Sequence, residues 1–151
     1  MARPGEEIEN PLTGERIRFL RTAADSGGEL LEMESVWTRS GRRTPAHVHP
    51  EMEETWEVLE GEARFVVGGE ELAAAPGDVV VAPPGTPHVG WNPTAADVRL
   101  RITMRPALRW EEFVERLFEL ARTGPPDREA LAALMREFGR EVAPARSDPS
   151  A

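Results

Sequence analysis

Between Glu29 and Arg105 the chain is cut into short apolar runs by glycine and proline at close intervals. Val98, Leu100, Ile102 and Met104 alternate with Arg99, Arg101, Thr103 and Arg105. Successive side chains of a strand point to opposite faces, so this stretch reads as a half-buried strand. Leu31, Met33, Ser35 and Trp37 share one face of another strand, with Glu32 and Glu34 on the opposite face. Val67-Gly68-Gly69-Glu70 is a two-glycine hairpin signal. Pro76-Gly77-Asp78 and Pro83-Pro84-Gly85 bound the apolar run Val79 to Ala82. Turns this dense point to an all-β barrel or sandwich. There is no strand–helix–strand alternation, no glycine-rich nucleotide loop and no internal repeat.

The three histidines of the chain fall in two stretches of this region. The first, residues 41–61, is GRRTPAHVHPEMEETWEVLEG; the second, residues 77–92, is GDVVVAPPGTPHVGWN. His47 and His49 are two apart, so on an extended strand they face the same way. Two imidazoles with a carboxylate suit a divalent transition metal: iron, manganese, nickel, copper or zinc. Glu51, Glu53 and Glu54 all lie near His49. Glu53 has the opposite strand parity to Glu54 and is expected to face outward; it stands as the alternative carboxylate.

The spacings tighten this reading. Gly41, His47, His49, Glu54 and Gly61 are separated by five, one, four and six residues. Gly77, Pro83, Gly85, His88 and Asn92 are separated by five, one, two and three. The two strings resemble both halves of the signature of the cupin superfamily, with no position missing. That resemblance implies an antiparallel jelly-roll barrel of six to eight strands. Carried over residue by residue, it implies a metal held by His47, His49, Glu54 and His88. It favours Glu54 because three residues separate it from the Val-Leu-Glu-Gly run, as in the family. It specifies a fold and a metal, not a reaction.

The organisation expected is an N-terminal arm with a first strand (1–28), the cupin barrel (29–105), a helical extension (106–143) and a disordered tail (144–151). Trp110, Phe113, Val114, Leu117 and Ala121 repeat at helical spacing. Gly124-Pro125-Pro126 ends that helix, and Asp127 can cap a second. Leu131, Leu134, Met135, Phe138 and Val142 form its stripe. The predicted fold is therefore an all-β antiparallel jelly-roll barrel with two C-terminal α-helices. The helices are expected against the barrel or a dimer interface, with a lid over the barrel mouth as the sharper alternative. The run from Arg105 to Phe113, RPALRWEEF, is similar to a group of bacterial single-barrel cupins.

Composition narrows the chemistry. Cysteine and tyrosine are absent and all 18 basic residues are arginine, so no thiol, phenol or lysine amine is available. The net charge is −9, which argues against a nucleic-acid partner. No run is apolar and long enough to span a bilayer, and the N-terminus has no secretory pattern; a cytoplasmic protein is expected. Met33, Trp37, Trp56, Phe65, Trp91 and Met104 are the candidate wall of a substrate pocket. Trp91, three residues past His88, faces away from it if the strand is regular. The leading reading is a metal-dependent, dioxygenase-like oxidoreductase acting on a small apolar or aromatic chelating substrate. The alternatives are a non-enzymatic small-molecule or metal-binding module and a metal-dependent isomerase or decarboxylase. A homodimer is expected because barrel edges and apolar helices usually find a partner.

Overall fold

The computed structural model describes residues 2–38 and 44–145. Residues 39–43, which hold the loop expected before His47 and the Arg42–Arg43 pair, lie outside the described residues. So do residues 146–151 of the expected tail. Among the described residues the strands are β1 (Glu7–Glu9), β2 (Arg16–Arg21), β3 (Leu31–Trp37), β4 (His47–Val48), β5 (Glu53–Glu60) and β6 (Ala63–Val67). They continue with β7 (Glu70–Ala74), β8 (Val79–Ala82), β9 (His88–Trp91), β10 (Val98–Arg105) and β11 (Ala143–Pro144). Two helices, α1 (Trp110–Leu120) and α2 (Arg128–Glu137), stand between β10 and β11.

The strands form two antiparallel sheets. One has the order β1-β2-β3-β10-β5-β8, the other β11-β4-β9-β6-β7. The alternation of β10 is realised in full: Val98, Leu100, Ile102 and Met104 are buried, while Arg99, Arg101 and Arg105 are exposed. Leu31, Met33 and Ser35 of β3 are buried beside them, in register with Met104, Ile102 and Leu100. Apolar side chains from both inner faces, among them Phe19, Met33, Trp56, Phe65 and Leu100, make one core. The outer face of the first sheet carries Glu7, Arg18, Glu34, Arg101 and Glu57 opposite one another across five strands. Opposite charges in that cross-strand order attract and keep the face solvated.

The helices share the barrel's core. Phe113, Val114 and Phe118 of α1, Leu134 of α2, and Phe138 and Val142 beyond it belong to the same apolar cluster. The Asp127 carboxylate accepts a hydrogen bond from the Ala130 N–H at 2.7 Å, capping α2 as expected. α2 ends at Glu137, so Val142 is not part of its stripe, yet it is buried.

Two expectations about the chain ends are revised. The strand expected at Arg16–Leu20 is β2, but the arm expected before it is not all loose: its Glu7–Glu9 forms β1, which pairs with β2, and β2 pairs with β3 in the six-stranded sheet. Ile17 and Phe19 need that burial. Pro144, expected in a disordered tail, pairs with His47 in β11. Proline is tolerated there because β11 is an edge strand and one side of it needs no N–H. No helix among the described residues is long and apolar enough to cross a membrane.

Candidate metal centre

β4 and β9 run side by side in the second sheet, with His47 directly opposite His88. Their rings lie 4.5 Å apart, centroid to centroid. His49 follows β4 immediately, and its ring lies 4.9 Å from that of His47 and 4.8 Å from that of His88. Glu54 comes from the facing sheet, on β5, where its parity matches buried Trp56 and Val58. Glu53 has the opposite parity and pairs with exposed Arg105, so it takes no part. One ligand atom from each of His47, His49, Glu54 and His88 lies within 4.8 Å of every other.

This arrangement fits a transition-metal ion. Glu54 Oε1 is 2.9 Å from His49 Nε2 and 3.1 Å from His88 Nε2. Donors at right angles on bonds of about 2.1 Å sit about 3 Å apart. The remote ring nitrogens are also engaged. His49 Nδ1 lies 2.8 Å from the Glu141 carbonyl and His88 Nδ1 lies 3.0 Å from the Thr86 carbonyl. A carbonyl only accepts, so each Nδ1–H donates to it, and each Nε2, here hydrogen-bonded to Glu54 Oε1, is the ring atom turned to the shared centre. Glu54, His49 and His88 are buried, and His47 is half-buried, the most exposed of the four.

The electrostatics match a preformed cation site. Burial alone would raise the Glu54 carboxyl, but hydrogen bonds from His49 and His88 prevail and hold it far below the usual carboxylate range. Burial would lower His49, yet the Glu54 hydrogen bond and charge, aided by the Glu141 carbonyl, raise it. At His47 the Glu54 charge also acts upward, but it is outweighed. Burial, with the charges of His88 and His49, depresses its pKa to about 3 and leaves the imidazole neutral.

Aromatic rings enclose the cluster. Trp56 stands edge-on to His88 at 5.2 Å, Phe65 touches Trp56 at 5.0 Å, and Trp37 lies 6.1 Å from Phe65. A Cβ on Gly90 would come within 2.8 Å of Phe65 and 2.9 Å of Trp37, so only glycine lets that ring pair cross the barrel. Met33 and Met104 are fully buried in the same core. Trp91 does not join this wall. It packs with Ala46, Val66 and Val89 in a separate cluster on the other face of β9, as strand parity from His88 requires.

Three contributors had no signal in the sequence as pocket or site residues. Trp110 of α1 stands edge-on to His49 at 4.7 Å. The Glu141 carbonyl arrives from 92 residues downstream of His49. Glu15 extends from the start of β2, and its carboxylate accepts from Ser35 Oγ at 2.8 Å and Trp37 Nε1 at 3.1 Å. Trp110 reads as plain helix stripe, and Glu15 and Glu141 as two of 27 acidic residues.

Comparison with known proteins agrees with this architecture. Residues 38–104 match the family description "Cupin domain". The chain is 32% identical over 82 residues to a quercetin 2,3-dioxygenase of Bacillus subtilis, covering 54% of this chain but 24% of that protein; it thus spans about a quarter of that relative's length. Among solved structures, an RmlC-like cupin from Shewanella frigidimarina superposes with a TM-score of 0.57 at 23% identity, covering 69% of this chain and 86% of that one. A conserved Klebsiella pneumoniae protein with a double-stranded β-helix domain gives a TM-score of 0.52 at 22% identity, covering 72% and 84%. Residues 38–104, the stretch that carries the histidines and Glu54, are thus a cupin domain, and the barrel of the described residues has the fold of these structures, with a C-terminal helical extension after it.

Proposed function

We propose that the chain is a metal-dependent, dioxygenase-like oxidoreductase acting on a small apolar or aromatic substrate that chelates the metal. The observation that carries the reading is the convergence of three imidazoles and one carboxylate on one point, with His47 the most exposed of the four. When bound, a redox-active divalent ion supplies open positions for a chelating substrate and the electron transfer that O₂ chemistry needs. The chain's own part is binding and exclusion. The carbonyls of Glu141 and Thr86 orient His49 and His88, and Trp56, Phe65 and Trp110 keep water from the buried side. The substrate wall is assigned to Met33, Trp37, Trp56, Phe65 and Met104.

The composition supports a reaction that asks little of the protein as acid or base. Every histidine is in the cluster, and lysine, cysteine and tyrosine are absent. The likeness to the Bacillus subtilis dioxygenase adds support over the matched quarter of that enzyme. Oxygen uptake tests the reading. Protein loaded in turn with iron, manganese, nickel and copper is offered catechols, flavonols, β-diketones and thiols. Uptake with one class, lost in His49→Ala together with the bound metal, is the expected outcome. No uptake across the panel removes the dioxygenase reading and leaves a binding module, while product without uptake points to isomerase or decarboxylase chemistry.

A further inference from the structure

We propose that Glu141 is a positioning residue of the metal centre, joining the C-terminal extension to His49 so that this imidazole keeps Nε2 on the ion. The inference rests on the metal-centre reading above. Glu141 lies four residues beyond α2 and is 3% exposed, unusual for a glutamate. Both ends of the residue are used. Its backbone carbonyl lies 2.8 Å from His49 Nδ1. Its carboxylate accepts the Arg109 N–H at 3.1 Å, at the N-terminus of α1, where Arg109 offers no cap of its own. An acceptor with negative charge belongs at that end of a helix.

The neighbouring contacts make this one unit. Trp110, next to Arg109, holds its indole edge-on to His49 at 4.7 Å, so the imidazole is bounded by α1 on one side and by the Glu141 carbonyl on another. The Glu141 N–H is itself bound to the Phe138 carbonyl at 3.0 Å. Two residues on, β11 pairs with β4, with Ala143 opposite Val48 and Pro144 opposite His47. On the surface the Arg140 guanidinium grips the Glu51 carboxylate at 2.9–3.2 Å. The segment after α2 is thus laid along the residues from His47 to Glu51. Phe138 packs this segment on Phe113 and under the Arg109 guanidinium, and the Glu141 carboxylate adds its hydrogen bond to the start of α1.

The test is a zinc competition titration of the full chain as wild type, Glu141→Ala, Glu141→Gln and His88→Ala. Glutamine keeps an acceptor for the Arg109 N–H; alanine removes it. Disturbing the partner of a ligating imidazole weakens metal binding by about 10- to 100-fold. Glu141→Ala is expected to lose at least about tenfold in zinc affinity and Glu141→Gln to remain within a few-fold of wild type. Equal affinity in wild type and Glu141→Ala, with His88→Ala deficient, overturns the role of Glu141 and spares the metal centre. No zinc in wild type overturns both. Nitrogen-15 NMR of the zinc-loaded wild type decides the matter even if Glu141→Ala does not fold. A proton on His49 Nδ1 and none on Nε2 is required; the opposite tautomer overturns the proposal.

Discussion

Glu54 places one carboxylate oxygen against two imidazoles, and a metal bound there would replace a shared proton network with bonds to the same atoms. Glu15 is the contrasting acid. It immediately precedes β2, in phase with buried Ile17 and Phe19, and burial pushes its carboxyl up despite hydrogen bonds from Ser35 and Trp37, with the Glu54 charge adding to the rise. The folded state therefore binds more protons than the unfolded chain from about pH 4.5 up to the raised value. Stability from this group is present below that window and is lost as pH rises through it. Glu15→Gln keeps the acceptor without the charge. Its melting temperature should exceed that of wild type at pH 7.5, and the gap should close toward pH 5. A constant gap at both pH values would show that charge at residue 15 is not the cause.

At the scale of elements, the site depends on where strands start and stop. β4 has two residues, so His49 reaches the centre from just beyond the strand rather than from within it. Gly61, between β5 and β6, fixes the entry to the strands on either side. Its φ is +82°, and a Cβ there would sit 2.7 Å from the Asp97 carbonyl oxygen. The left-handed conformation alone costs a non-glycine residue about 1–2 kcal/mol, and the contact adds to it. Gly61→Ala should lower the unfolding free energy by about 2–3 kcal/mol, read as a fall in urea midpoint at unchanged slope. A change under about 0.5 kcal/mol would mean that the turn relaxes freely.

For the whole molecule, the open question is what covers the sheet edge. β8 ends the six-stranded sheet and leaves Val79 57% and Val81 44% exposed beside it. An apolar edge of this kind invites a second strand. Light scattering should give a mass of twice 16.7 kDa; a mass of 16.7 kDa would refute the homodimer. The amino-acid sequence by itself determined the β-barrel, the four convergent side chains and the two helices. Alternation and helical periodicity, both local, marked the strands and the two helices, whereas the jelly-roll barrel and the four convergent side chains came through the family resemblance that the glycine, proline and histidine spacings carry. It also carried the outward face of Trp91, because parity is counted along one strand. Only the tertiary structure decided that Trp110 and the Glu141 carbonyl meet His49, and that Pro144 pairs with His47. Those contacts join elements more than 60 residues apart. No local pattern records them, because a backbone carbonyl looks the same at every position until packing aims it.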